Sequence, residues 1–257
     1  MDLPKNEFKA AIMAGRQQLG LWCTFADTGI AELAAGCGYD WLMFDTEHSP
    51  IDPLTVMPLL QAAAPYPVSP VVRPGALDPI QIKKLLDFGA QNILVPYVQS
   101  AEEAALAVAS VTYPPEGIRG VAGGTRATRY GAVANYHKRA REEICIIVQI
   151  ETKEALDALD EIAAVPGLDA VFIGPSDLAA SLGHLGDPGH PEVKEACFDA
   201  IRRLRAAGKP AGFLSVDQQF VGEVIEAGSI FTAVDTDATL LRRSAVARVG
   251  EWRKKLG

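Results

Sequence analysis

The chain is short of the features that mark several protein classes. It has four cysteines in 257 residues, Cys23, Cys37, Cys145 and Cys197, scattered and without a C-x-x-C pair. That spacing excludes a disulfide scaffold or a zinc ribbon and leaves buried free thiols as the expected state. No run approaches the ~20 consecutive apolar residues of a membrane helix. The opening segment MDLPKNEFKAAIMAG reads as a short amphipathic helix and lacks the basic and apolar regions of a signal peptide. The expected location is therefore cytoplasmic, with no membrane partner. There is no basic stripe either. The formal net charge is −8, which argues against a nucleic-acid partner. Small anionic substrates remain open, because arginine and a metal ion can reverse the local field in one cleft. The G-x-x-x-x-G-K-[ST] pattern of a nucleotide P-loop is missing. Linkers, low-complexity segments and charge blocks are missing too, so one domain spanning 1–257 is expected.

What is present is a regular alternation. The apolar share of 49% is enough for a sizeable core. Short apolar runs, each suited to a buried parallel strand, fall at Gly20–Phe25, Trp41–Asp45, Ser69–Arg73, Asn92–Val98, Ile144–Glu151, Ala170–Ile173, Pro210–Ser215 and Ile230–Asp235. Helical patterns lie between them, most clearly at Leu54–Ala64, Pro79–Phe88, Ala101–Val111, Lys153–Ala164, Glu192–Ala207, Gln218–Ala227 and Ala238–Leu256. Gly38, Gly89, Gly208 and Gly228 stand where helix C-terminal caps belong. Eight β–α units in about 250 residues predict a parallel (β/α)8 TIM barrel. An open doubly wound sheet is the competitor, but GLWCTFADTG after the first strand is not a phosphate loop. One long connection, Tyr113–Glu143, carries the glycine-rich GIRGVAGGTR, which could cradle an anion.

In such a barrel chemistry gathers at the C-terminal ends of the strands. Those ends carry Asp45, Glu47 and His48 after the second strand, Arg73 after the third, Gln149 and Glu151 at the fifth and Asp177 past the sixth. Glu151 and Asp177 follow neighbouring strands ~4.8 Å apart. They can share one ion, and an all-oxygen shell favours Mg2+, Mn2+ or Co2+; alternatively each acid caps the helix after it. Arg73 is either an oxyanion binder or a structural partner of Glu47 or Asp45. Asp45 is placed to orient the His48 ring. The N–H groups at Ser176 and Asp177, after Gly174, suit a carboxylate. No lysine ends a strand, and Lys153 comes nearest. Metal stabilisation of an enolate is therefore favoured over a Schiff base.

Taken together, GLWCTFAD, FDTEHSP, VVRP, LDFGAQNILVPYVQS, GIRG, VQIET, FIGPSDLAASLG and AVDTD resemble the HpcH/HpaI aldolase family, class II pyruvate aldolases acting on 4-hydroxy-2-oxo acids. The resemblance runs over almost the whole chain. It implies reversible cleavage to pyruvate and an aldehyde with a divalent metal on Glu151 and Asp177. It implies that Arg73 stabilises the enolate oxygen, that His48 with Asp45 moves protons through water, and that Gln149 sits beside pyruvate. It places Gly174, Ser176 and Asp177 around the pyruvate carboxylate, lines the pocket with Trp22 and Leu214, and puts Asp87 at a subunit contact near the catalytic histidine. A homohexamer, a dimer of trimers exchanging the final helix, is the implied assembly. The rival readings are a CoA-thioester lyase of the citrate lyase β or malyl-CoA type, for whose phosphates no basic groove is evident, oxaloacetate decarboxylation on the same enolate, and a non-catalytic metabolite-binding barrel.

Overall fold

The computed structural model describes residues 1–257. Its strands are β1 (Gln18–Cys23), β2 (Trp41–Asp45), β3 (Ser69–Arg73), β4 (Asn92–Val95), β5 (Cys145–Ile150), β6 (Ala170–Ile173), β7 (Ala211–Leu214) and β8 (Phe231–Thr236). All pair in parallel with their sequence neighbours, and β8 closes on β1, so the sheet is the expected eight-stranded barrel. The helices are α1 (Glu7–Met13), α2 (Thr28–Ala35), α3 (Pro53–Ala63), α4 (Pro79–Asp87), α5 (Ala101–Val111), α6 (Tyr136–Arg139), α7 (Lys153–Asp157), α8 (Leu159–Ala163), α9 (Pro175–Ser181), α10 (Pro191–Ala206), α11 (Gln218–Ala227) and α12 (Asp237–Leu256), with a 3-10 turn at Ala140–Glu143.

The strands are apolar on both faces because both faces are covered. Outward side chains join a large shared core with the helices. Inward ones form a smaller cluster that includes Trp22, Trp41, Met43, Ile147, Phe172 and Phe231. The N-terminal helix closes the bottom of the barrel. Phe8 of α1 packs edge-on to Phe231, 5.5 Å between centroids, and tilted against Trp41 at 5.9 Å. Large rings fit inside only because small residues face them: a Cβ on Gly20 would lie 2.1 Å from the Trp41 ring, and one on Gly212 2.1 Å from Phe231. The apolar plug makes the bottom a stability surface and leaves the other end for chemistry.

Local chemistry marks the helix boundaries. Asp27, Asp52, Asp78, Ser100, Thr152, Asp217 and Thr236 each accept a backbone N–H as N-caps. Gly89, Gly208 and Gly228 adopt positive φ at helix ends, as expected of C-terminal caps, whereas Gly38, also at positive φ, lies two residues past Gly36, which caps α2. Three expectations change. The first strand begins and ends two residues early, because Thr24 and Phe25 turn their N–H groups to the Asp237 carboxylate at 2.9–3.1 Å instead of a strand. The fourth strand stops at Val95, where Pro96 ends the ladder and Tyr97 takes φ +57. The expected helix 153–164 is two helices meeting at Ala158. Among the cysteines, Cys23, Cys145 and Cys197 are buried and free, whereas Cys37 is free but exposed, just beyond the end of α2.

Candidate active site

The C-terminal rim of the barrel holds a cleft of about 230 Å³. Trp22, Asp45, His48, Arg73, Gln149, Glu151, Gly174, Ser176, Asp177 and Leu214 line it, so ten of the eleven residues to which the resemblance gives a role converge on one place. Asp87 is the exception. It ends α4, accepts a hydrogen bond from the buried Arg119 at 3.1 Å, and does not line the cleft within one chain. The long 113–143 connection contributes no lining residue either.

On the β2–β3 side the charges are paired. Asp45 ends β2 and Arg73 ends β3, directly opposite in the register. Arg73 donates from Nε to Oδ1 of Asp45 at 2.9 Å and from Nη2 to Oδ2 at 2.6 Å, a two-pronged ion pair. Its Nη1 lies 2.8 Å from Glu47 Oε2, and its guanidinium sits 4.7 Å from the Trp22 ring centroid. Trp22 Nε1 donates to Asp45 at 3.0 Å. Burial pushes the Asp45 carboxyl up, but the hydrogen bonds and charge of Arg73, helped by Trp22 and the Glu47 N–H, outweigh it and hold the group below its ordinary range. Burial raises the Glu47 carboxyl, and the charge of Arg73 only partly offsets this.

This pairing corrects one expectation. Asp45 does not orient the His48 ring: it receives the backbone N–H of His48 at 3.3 Å, while the ring is mostly exposed and lies 3.9 Å from Glu47 Oε2. The reason is competition. Arg73 and Trp22 take the Asp45 oxygens, and the turn after β2 spends the remaining lone pairs on the Glu47 and His48 amides.

On the β5–β6 side the charges are not paired. Glu151, just past β5, is 2% exposed. It accepts from Gln149 Nε2 at 2.5 Å and from the Tyr97 N–H at 2.8 Å, but has no cationic partner. Burial, and after it the charge of Asp177, pushes its carboxyl up to about 7. Neither acid is consumed as a helix cap. Thr152 caps α7, and Asp177, inside the first turn of α9, makes no side-chain capping bond. Gly174 is required between them: a Cβ there would meet Gln149 Nε2 and Glu151 Oε2, both at 2.7 Å. A buried, unneutralised carboxylate beside a second acid, with only oxygen donors, fits a hard divalent cation. Lys153, the lysine closest to a strand end in sequence, pairs with Asp157 on the surface at 2.6 Å.

Sequence reasoning missed five contributors. Tyr97 acts through its backbone, in a left-handed conformation uncommon for a residue with a side chain; only Pro96 hinted that the strand ended there. Thr24, Phe172, Pro175 and Thr236 also line the cleft; inward alternation along β6 was the available signal for Phe172, whereas Thr236 is out of phase with the inward Phe231 and Ala233 because the β1–β8 register shifts between Gly20 and Trp22.

Comparison with known proteins identifies the family. The profile of the HpcH/HpaI aldolase/citrate lyase family matches residues 18–244. A hydroxypyruvate/pyruvate aldolase of Sagittula stellata is 59% identical over 98% of this chain and 100% of its own. A 4-hydroxy-2-oxo-heptane-1,7-dioate aldolase of Klebsiella pneumoniae is 53% identical over 94% of this chain and 92% of its own. The crystal structure of an HpcH/HpaI aldolase/citrate lyase family protein from Burkholderia cenocepacia superimposes with a TM-score of 0.94 at 37% identity, covering 97% of this chain and 100% of that one. The chain therefore belongs to the HpcH/HpaI aldolase/citrate lyase family.

Proposed function

We propose that the protein is a divalent-metal-dependent pyruvate aldolase, cleaving 4-hydroxy-2-oxo acids reversibly to pyruvate and an aldehyde. The observation that carries this reading is the buried, cation-free Glu151 beside Asp177, facing a charge-paired Arg73 across one small cleft. The aldolase names of relatives above 50% identity favour it over a CoA-thioester lyase.

Glu151 and Asp177 would hold Mg2+, Mn2+ or Co2+, which supplies Lewis-acid polarisation of the substrate keto oxygen. Gln149 and the Tyr97 N–H fix the Glu151 carboxylate. The N–H groups of Ser176 and Asp177, in the first turn of α9 and without intrahelical acceptors, receive the substrate carboxylate. Arg73 has five N–H donors, of which Asp45 takes two, while Nη1 lies in ion-pair range of Glu47. Donors that Asp45 leaves free serve the keto oxygen as it becomes an enolate oxygen, the step at which charge builds. In cleavage, His48 takes the C4 hydroxyl proton through water; the C3–C4 bond electrons pass to C3 and the aldehyde leaves. A proton returned to C3 gives pyruvate, and synthesis reverses these steps. Trp22, Phe172 and Leu214 form the apolar wall that keeps bulk water from the enolate.

The assembly reading rests on α12. Its last two-thirds are exposed, with Leu241, Val246, Val249, Trp252 and Leu256 uncovered along its length. A homohexamer in which this helix docks on a neighbour covers them and brings Asp87 of one chain towards the cleft of another. No helix is long and apolar enough to cross a membrane, which is compatible with a cytoplasmic enzyme.

The test is direct. With pyruvate, a panel of aldehydes and Mg2+, Mn2+ or Co2+, aldol adducts are expected to form, to stop on chelation and to resume on metal re-addition. Borohydride with pyruvate is expected to trap nothing, and a trapped lysine adduct would overturn the metal-enolate route. Light scattering on the intact protein reads the oligomer.

A further inference from the structure

The loop joining α9 to α10, with the first turn of α10, carries a cluster that the aldol chemistry leaves unused. His184, His190 and Glu192 bring two imidazoles and a carboxylate together, with their ligand atoms all within 4.8 Å of one another. None of the three lines the catalytic cleft. The loop is not a loose tether. His184 N–H donates to Ala179 at 2.8 Å, Asp187 N–H to His184 at 2.9 Å and His190 N–H to Asp187 at 3.1 Å. Gly183 and Gly186 take the positive φ that these tight turns require. The result stacks the two imidazole rings 3.5 Å apart at 15°, with His184 Nε2 lying 2.8 Å from Glu192 Oε2.

We propose that His184, His190 and Glu192 form a second divalent-metal site, distinct from Glu151 and Asp177 and selective for an imidazole-preferring ion such as Zn2+. The donor chemistry separates the two. Glu151 and Asp177 offer only oxygen, which suits Mg2+ and Mn2+, whereas two imidazoles and one carboxylate suit Zn2+, Cu2+ or Ni2+. Ligands at ~2.0–2.1 Å around a tetrahedral ion stand somewhat further apart than the present His184–Glu192 contact. Binding therefore replaces that hydrogen bond with metal bonds and unstacks the rings: His184 turns so that its in-plane lone pair converges with that of His190, and Glu192, an exposed side chain free to move, rotates outward. Water completes the shell. The competing role for His190 is purely structural, since its Nδ1 accepts the Glu192 N–H at 3.3 Å and caps α10.

The experiment separates the two sites and the two roles. Equilibrium dialysis against Zn2+ of the full chain bearing Glu151→Gln and Asp177→Asn reads the second site alone. One bound ion per chain is expected. On that background His184→Gln is expected to weaken Zn2+ by about tenfold or more, within the range for lost ligands and their supports. His190→Ser, whose hydroxyl preserves the helix cap, is expected to do the same, and Glu192→Gln to weaken binding less. In the same protein, Cu2+ is expected to show an electron paramagnetic resonance pattern split by two nitrogens, lost in either histidine variant. The proposal is overturned if the double variant retains no Zn2+, or if it binds Zn2+ equally well after His184→Gln or His190→Ser.

Discussion

The two halves of the cleft treat negative charge in opposite ways. At β2–β3, Asp45 meets Arg73 through two short hydrogen bonds, Trp22 adds a third, and the carboxyl is held down. At β5–β6, Glu151 is equally buried, but its donors are a neutral amide and a backbone N–H, and the charge that acts on it most strongly is the repelling Asp177. Both halves take a carboxylate out of water, which is costly unless the charge is matched. One is matched by the chain itself, and the other is left to be matched from outside. A cleft with one self-sufficient half and one deficient half has a defined place for a cation and a defined cationic side chain facing it.

The largest effect is expected on the deficient side. Glu151→Gln or Asp177→Asn removes an oxygen donor without emptying space. Aldol turnover with saturating metal should fall by at least about a thousandfold, on the order of 4 kcal/mol in the barrier. Steady-state assays beside metal stoichiometry check this, and a variant that keeps full turnover would show that the unpaired acids are not the cation site.

On the self-sufficient side the effect reaches stability as well as rate. Arg73→Ala leaves Asp45 buried with only Trp22 and backbone amides for company. Breaking one partner out of a buried pair costs roughly 3 kcal/mol, so chemical denaturation should shift strongly. Loss of the donors that Asp45 leaves free should slow pyruvate C3 proton exchange by about a hundredfold. Unchanged exchange would confine Arg73 to a structural part.

How much of this was legible beforehand follows from the same contrast. The barrel was readable because β-strand and helix periods alternate eight times, and the rim acids because each follows a strand directly. Glu151 and Asp177 needed no partner to be recognised, since their defining property is the absence of one. The Asp45–Arg73 pair was less legible: it joins residues 28 apart through side-chain geometry, and the nearer His48 looked like the natural mate of Asp45. Tyr97 was invisible because its contribution is a backbone N–H in a left-handed turn. Asp87 and the 113–143 connection stayed unplaced because one chain does not bring them to its own cleft.

A smaller effect is expected at His48, whose exposed ring meets the self-sufficient half only at Glu47, 3.9 Å away. His48→Asn should leave thermal stability unchanged and lower kcat/KM for cleavage by about a hundredfold, the lower end of general acid–base catalysis. A loss of stability in place of rate would show that the ring packs rather than transfers protons.

The smallest effect runs the other way and tests the deficiency itself. In metal-free protein the folded chain keeps a proton on Glu151 up to about pH 7, whereas the unfolded chain releases it near its ordinary 4.5. The folded state thus binds more protons across that window, so stability falls as pH rises through it and the full penalty is present above pH 7. The gap sets a ceiling of about 3 kcal/mol, which relaxation and entering water reduce to roughly 2 kcal/mol. Glu151→Gln removes the titrating group. With EDTA present, urea unfolding should therefore find the variant more stable than the parent at pH 8 and nearly equal to it at pH 4.5. Saturating Mg2+ should close the difference at pH 8 by stabilising only the parent. An equal difference at both pH values would mean that packing, not the unmatched charge, separates the two proteins.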